Sequence, residues 1–392
     1  MASIYHDDKR IANAVKNLNS DINIPPIAKD EITKYIEYCA ARGIKKVRFP
    51  KLIGELSKMA TLLKKSFKEA NKDDLISLAA KIESLDLADY TKYEYKVVLK
   101  RFYKYLEGRD IKYPEKIDWL KPKEPMSTRL PEDILTEEEL LKMIESAEHP
   151  RDRAIMMLLS ETGFRVGELA TLKIKNITFE TEMGYVRVDG KTGPRRIPIV
   201  PSIPYLAAWL DLHPQKNNPE APLWPCLANK DRNNPAPMGY NAIRKLLITI
   251  GKRAKITKRI NPHSFRHARA TLMARKNISE QQMKQYMGWS QNSKEVSTYV
   301  HMASKDLNDP IKKLYGLKIE ETEKSKFAPK DCPRCSAKNS PNSNFCTKCA
   351  CPLDTQTLLD YEQQKKENED LLDKILTDPI IRKQIVFKLL NK

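Results

Sequence analysis

The chain has 392 residues, is 41% hydrophobic and contains only 12 glycines, which exceeds one ordinary core and suits a folded, largely helical protein of two or three domains. Its net charge of +19, from 70 Lys plus Arg against 51 Asp plus Glu, favours a polyanionic partner, because basic groups that neutralise phosphates release condensed counterions. The longest apolar runs, AIMMLL from Ala154 and YLAAWL from Tyr205, are too short to cross a bilayer, and MASIYHDDKR holds no apolar signal region; neither a membrane role nor secretion is expected, and a cytoplasmic location is.

Residues 1–115 read as a helical domain rich in basic groups. Its clearest segment is LADYTKYEYKVVLKRFYKYLEG, where Tyr95, Val98, Phe102, Tyr105 and Leu106 recur at helical spacing. Lys96, Lys100, Arg101 and Lys104 fall largely off that stripe, and Gly108 suits a helix stop. A linker over 116–134 follows, carrying Pro122, Pro125 and Pro131, each of which disfavours helix at the preceding residue. The second domain, 135–317, opens at Thr136, whose side chain can cap a helix while Glu139 reaches back. PRDRAIMMLLSETG reads as a helix ended by Gly163. Alternation at Tyr185–Val188 and Arg196–Val200, joined by DGKTGPR, predicts a hairpin. The fold class is therefore mainly α with a small antiparallel β-sheet. A charged linker leads to a cysteine-rich segment at 330–354, and 356–392 reads as further helices with equal numbers of acids and bases.

Cleaving a phosphodiester without a metal requires fixed cations aimed at the nonbridging oxygens and two groups that exchange protons. Guanidinium is planar, always charged and able to donate two parallel bonds, so Arg165 and Arg266 are the candidate phosphate ligands. Tyr299 is the candidate nucleophile; phenol, with a pKa of ~10, needs nearby cations or a base. His263 is the natural base and Lys191, at the hairpin tip, the natural acid. Asn261 can cap a helix beginning at Pro262, which sets His263 and Arg266 at i and i+3 on one face near its positive end. His267 is expected to point elsewhere.

These motifs, taken in order, closely resemble those of the tyrosine recombinases of the lambda-integrase and Xer type. TGFRVGEL, with Glu168 three residues after Arg165, resembles the first-arginine motif; VDGKTGPRRIPI resembles the lysine-bearing hairpin; HSFRH resembles the His-x-x-Arg box. MGWSQNSKEVSTYVHM resembles the segment with the last active-site residue and the nucleophile, with Trp289 where most members have histidine. An indole N–H can only donate, so Trp289 suits holding a phosphate and not exchanging a proton. The resemblance covers about residues 80–305. It implies a two-domain clamp on double-stranded DNA and a tetramer on paired sites. Strand exchange would run through a 3′-phosphotyrosine at Tyr299, without metal or other catalytic cofactor. A type IB topoisomerase-like relaxing enzyme and an idle DNA-binding regulator are the alternatives.

Five of the seven cysteines crowd between Cys332 and Cys351. Cys332-x-x-Cys335 and Cys346-x-x-Cys349 form two thiolate pairs that suit a structural tetrahedral Zn²⁺ in a zinc-ribbon-like module. Cys351 reads as a bystander able to replace Cys349.

Overall fold

The computed structural model describes residues 7–108, 112–125, 133–181, 183–190, 193–227, 236–293, 295–296, 299, 315 and 325–377. It divides into two compact units, Met1–Arg129 and Leu130–Lys392.

The first unit is helical: α1 (Asp7–Ser20), α2 (Pro26–Ala41), α3 (Phe49–Leu63), α4 (Lys72–Ser84), α5 (Asp89–Leu106) and α6 (Glu115–Asp118). Proline at the first position of α2 starts it without loss of a bonded N–H. Asn71 and Asp74 cap α4 reciprocally. The core is aromatic at its centre, with the Phe102 ring edge-on to Phe67 at 4.9 Å and to Tyr35 at 5.0 Å. On α5 the deepest residues are Val98, Leu99, Phe102 and Tyr103. Tyr95, Tyr105 and Leu106 are only partly buried, so the buried face is turned from the expected stripe toward Leu99 and Tyr103. The cause is a polar anchor: the Tyr103 hydroxyl donates to the Phe67 carbonyl at 2.7 Å. Gly108 does follow α5 in a left-handed conformation, φ +62°.

The second unit contains α7 (Glu137–Glu145), α8 (Pro150–Thr162), α9 (Val166–Ala170), α10 (Ile203–Asp211), α11 (Tyr240–Arg253), α12 (Pro262–Arg275) and α13 (Glu280–Met287). Thr136 and Glu139 form the expected box at α7. α8 is buried on every side from Ala154 to Thr162 and packs against α7, α10 and α12, with the hydroxyls of Ser160 and Thr162 turned back onto the Met156 and Leu158 carbonyls. β1 (Ile177–Phe179), β2 (Gly184–Gly190) and β3 (Gly193–Ile199) form an antiparallel sheet in that order. The hairpin is longer than expected, pairing from Gly184↔Ile199 to Gly190↔Gly193. β1 adds a strand too short for alternation to reveal. The fold is thus mainly helical with a small antiparallel sheet.

Beyond it, β4 (Lys330–Asp331) and β5 (Lys338–Asn339) pair within the cysteine segment, and α14 spans Thr355–Thr377. This segment sits on α7 and α10 of its own unit. Ser325 donates to Glu137 at 2.7 Å, Lys326 pairs with Glu138 at 2.5 Å, Asn342 bonds Glu145, and Phe327 is fully buried. Leu358, Leu359, Leu371 and Leu372 on α14 are exposed. The second terminal helix expected from Pro379 lies outside the described residues, as does Lys191.

Candidate active site

Arg165 stands at the N-cap of α9, just after the Gly163 turn that ends α8. Its backbone N–H and its Nη1 both donate to Glu168, at 3.0 and 3.1 Å, and its Nη2 donates to the Gly288 carbonyl at 2.9 Å. Glu168 is buried and is also gripped by Arg195 of β3, whose Nη1 and Nη2 donate to its two oxygens at 2.9 Å each. Burial opposes ionisation of Glu168, but the Arg195 hydrogen bonds and charge, then Arg165, outweigh it and hold its pKa below the ordinary carboxylate value. Arg195 further donates from Nε to the Tyr286 carbonyl at 3.3 Å. Gly288 has φ +63°, and a Cβ there would fall 2.6 Å from the Arg195 guanidinium carbon, so only glycine admits both the turn and the arginine.

Arg266 lies on α12, which Asn261 caps by accepting from the Ser264 N–H at 3.1 Å, as its sequence suggests. The side chain is buried and donates to the Gly163 carbonyl at 3.0 Å and the Met287 carbonyl at 2.6 Å. Burial, then the Arg165 charge, lowers its pKa to about 10, leaving it cationic at neutral pH. Gly163 makes this approach possible: a Cβ there would sit 3.2 Å from the Arg266 Cα. Arg165 and Arg195 thus share the carboxylate of Glu168, while Arg266 bonds only backbone carbonyls and feels that carboxylate through its charge. Arg165 keeps about a third of its side chain exposed, at 32%, so the cluster has positive charge to offer an anion.

The aromatic side of the site adjoins these cations. The Arg266 guanidinium lies over the Trp289 ring at 5.1 Å. Trp289 in turn stacks on Tyr299, centroids 5.7 Å apart and planes within 15°. Tyr299 is 4% exposed and packs among Ala270, Met273, Met283, Met287 and Val296. Its hydroxyl is hydrogen-bonded to Nδ1 of His267. His263, one turn earlier, is exposed, with its ring 6.4 Å from that of His267.

The structure thus joins Arg165, Arg266, Trp289 and Tyr299 through a continuous path of contacts, with His263 at its rim. It corrects the expectation for His267, which turns to Tyr299 and not away. His263 and His267 are i and i+4, as much neighbours on a helix as i and i+3; that spacing was the available signal. Arg195 was also missed. Its signal is strand alternation, since it lies in phase with the buried Ile197 and Ile199.

In the cysteine segment the sulfurs of Cys332, Cys335, Cys346 and Cys349 lie within 4.8 Å of one another. The Cys332–Cys349 and Cys335–Cys346 separations are 3.5 and 3.6 Å, close to the ~3.8 Å edge of a tetrahedron with zinc–sulfur bonds of ~2.3 Å. Cys351 contributes its carbonyl, which accepts from the Cys346 N–H at 2.8 Å.

Residues 133–306 match the phage integrase family. The chain is 30% identical over 215 residues to tyrosine recombinase XerA of Pyrococcus horikoshii, covering 55% of this chain and 70% of the relative. Among solved structures, the XerH site-specific recombinase bound to a palindromic difH substrate aligns with a TM-score of 0.55 at 21% identity, covering 79% of this chain and 95% of that one. A lambda integrase (75–356) dimer bound to a COC′ core site aligns with a TM-score of 0.55 at 16% identity, covering 75% and 99%. The chain belongs to the tyrosine recombinase family. Among the described residues no helix is long and apolar enough to cross a membrane.

Proposed function

We propose that this protein is a site-specific DNA recombinase that cuts and rejoins double-stranded DNA through a 3′-phosphotyrosyl intermediate at Tyr299. The observation that carries this reading is the contact path from the arginine cluster through Trp289 to the Tyr299 hydroxyl. Arg165 and Arg266 bind the nonbridging oxygens of the scissile phosphate, and Trp289 adds a donor. As the phosphorus becomes five-coordinate its oxygens gain charge, and fixed cations in a water-poor site stabilise that state more than the ground state. Glu168 and Arg195 aim Arg165 without touching DNA. The Tyr299 oxygen attacks phosphorus, the bond to the 5′-oxygen breaks, and that oxygen takes a proton from Lys191. A base must accept the Tyr299 proton, the role that the family resemblance gives to His263. Reversal, with a 5′-hydroxyl from a second site attacking the phosphotyrosine, rejoins the strands. The chemistry needs no metal.

The excess basic charge supports DNA as the partner. A tetramer on two paired sites follows from the family. Zn²⁺ held by Cys332, Cys335, Cys346 and Cys349 would shape a segment too small to fold on an apolar core alone.

A nicked duplex, from which the short fragment bearing the new 5′-hydroxyl diffuses away after cleavage, traps the adduct. The wild-type protein is expected to form a covalent complex on a recognised site, and Tyr299→Phe to form none while binding the same DNA with unchanged affinity. An adduct that persists in Tyr299→Phe refutes the nucleophile. Loss of supercoils without joining of two defined sites would favour a relaxing enzyme instead.

A further inference from the structure

We infer that His267, and not His263, is the proton acceptor for Tyr299. The inference rests on the recombinase reading above and assigns one step within it. The His267 imidazole is hydrogen-bonded through Nδ1 to the Tyr299 hydroxyl. The ring is half-buried and tilted 36° to the tyrosine ring, with centroids 5.7 Å apart. His263 stands one turn closer to the helix start and is exposed, where it is better disposed to meet a phosphate oxygen arriving from solution.

The chemistry matches this division. In its neutral form with hydrogen on Nε2, His267 presents a lone pair at Nδ1 to the tyrosine O–H. As the Tyr299 oxygen bonds to phosphorus, its proton passes to Nδ1 and the P–O5′ bond breaks. The 5′-oxygen is protonated by the general acid, so one proton enters and one leaves. In rejoining, the imidazolium returns its proton to the departing phenolate. Among the described residues, the rings of His263 and Tyr299 face His267, and Arg266 precedes it on the same helix. Arg269, three residues before Leu272 on the same helix, lies over Tyr286 and acts on Glu161 instead.

The test is the single-turnover rate of adduct formation on the nicked duplex, followed from about pH 5 to about pH 9, across the ordinary histidine range. Wild-type rates should fall on the acid side of that range, where an imidazole base is lost to protonation. His267→Ala should lose on the order of 10²–10³-fold and lose that acid limb, the rate then rising with pH toward the phenol's own range. His267→Asn, whose amide can still bond the hydroxyl but cannot take a proton, should show the same loss, which a purely positional role would not produce. Both variants should bind DNA as wild type and melt at a similar temperature. His263→Ala should be slower yet keep the acid limb. Wild-type rates in either His267 variant, or an acid limb that vanishes in His263→Ala and persists in His267→Ala, would overturn the assignment. If the wild-type protein traps no adduct, the recombinase reading fails and this assignment fails with it.

Discussion

The two units bury charge in different ways. In the first, Glu31 is enclosed and spends its oxygens on the Ser66 hydroxyl and the N–H groups of Phe67 and Lys68, closing the turn after α3. Both of its carboxylate oxygens are taken up by these local donors. In the second unit, Glu161 is similarly bound to the Val200 and Ser202 N–H groups, but Glu168 is bound by guanidinium groups from two separate segments. A buried charge used as a cap fastens a loop. A buried charge shared among an excess of opposite charges sets up a site. The distinction depends on what remains unneutralised, and in the second unit that remainder is cationic.

Several experiments can break this contrast or sharpen it. The largest expected effect is on the cysteine segment: if zinc holds it, the metal contributes on the order of 10 kcal/mol to its folding. Chelation should then open residues 330–354 to proteolysis while α8 and α12 stay protected in hydrogen exchange. Next, Glu168→Gln leaves Arg195 buried against a partner that no longer carries charge, and breaking such a pair costs about 3–5 kcal/mol. Calorimetry should show the second unit melting earlier. The sign with pH is fixed by direction: Glu168 has a folded pKa below its unfolded value. The stability it contributes is therefore present above the unfolded carboxylate value of about 4.3 and is lost as pH falls through the folded one. Glu168→Gln should flatten that part of the acid limb. A variant as stable as wild type at neutral pH would show that the carboxylate does not hold the arginines together.

Smaller still, Tyr103→Phe in the first unit removes one buried hydrogen bond to the Phe67 carbonyl and should cost about 1 kcal/mol. It should leave the pH profile of adduct formation unmoved. A changed pH profile in that variant would mean that the first unit's core contributes to the chemistry as well as to stability.

Much of the second unit is legible in the sequence because its signals are local. Asn261 before Pro262, the Thr136–Glu139 box and Gly163 after α8 each satisfy backbone groups within a few residues, so the chain alone announces them. What escaped reading depends on partners far apart in sequence. The role of Arg195 exists only because β3 brings it to Glu168, 27 residues away. That of His267 exists only because Tyr299, 32 residues on, returns to α12. The turned face of α5 has the same origin, since Tyr103 follows the carbonyl of Phe67, 36 residues earlier. Helical and strand periodicity tell which face is buried. They do not tell which distant group a polar side chain on that face will find.

The parallel stack of Trp289 on Tyr299 also has an optical consequence. Of the chain's four tryptophans, this one carries its indole against the ring of the proposed nucleophile. Light absorbed by the phenol is passed to an indole in such close contact, and the emission of that indole responds when its neighbour swings away or becomes a phosphate ester. The protein thus carries a built-in fluorophore against the proposed nucleophile, and stopped-flow emission should time any departure and return of Tyr299 within a single turnover.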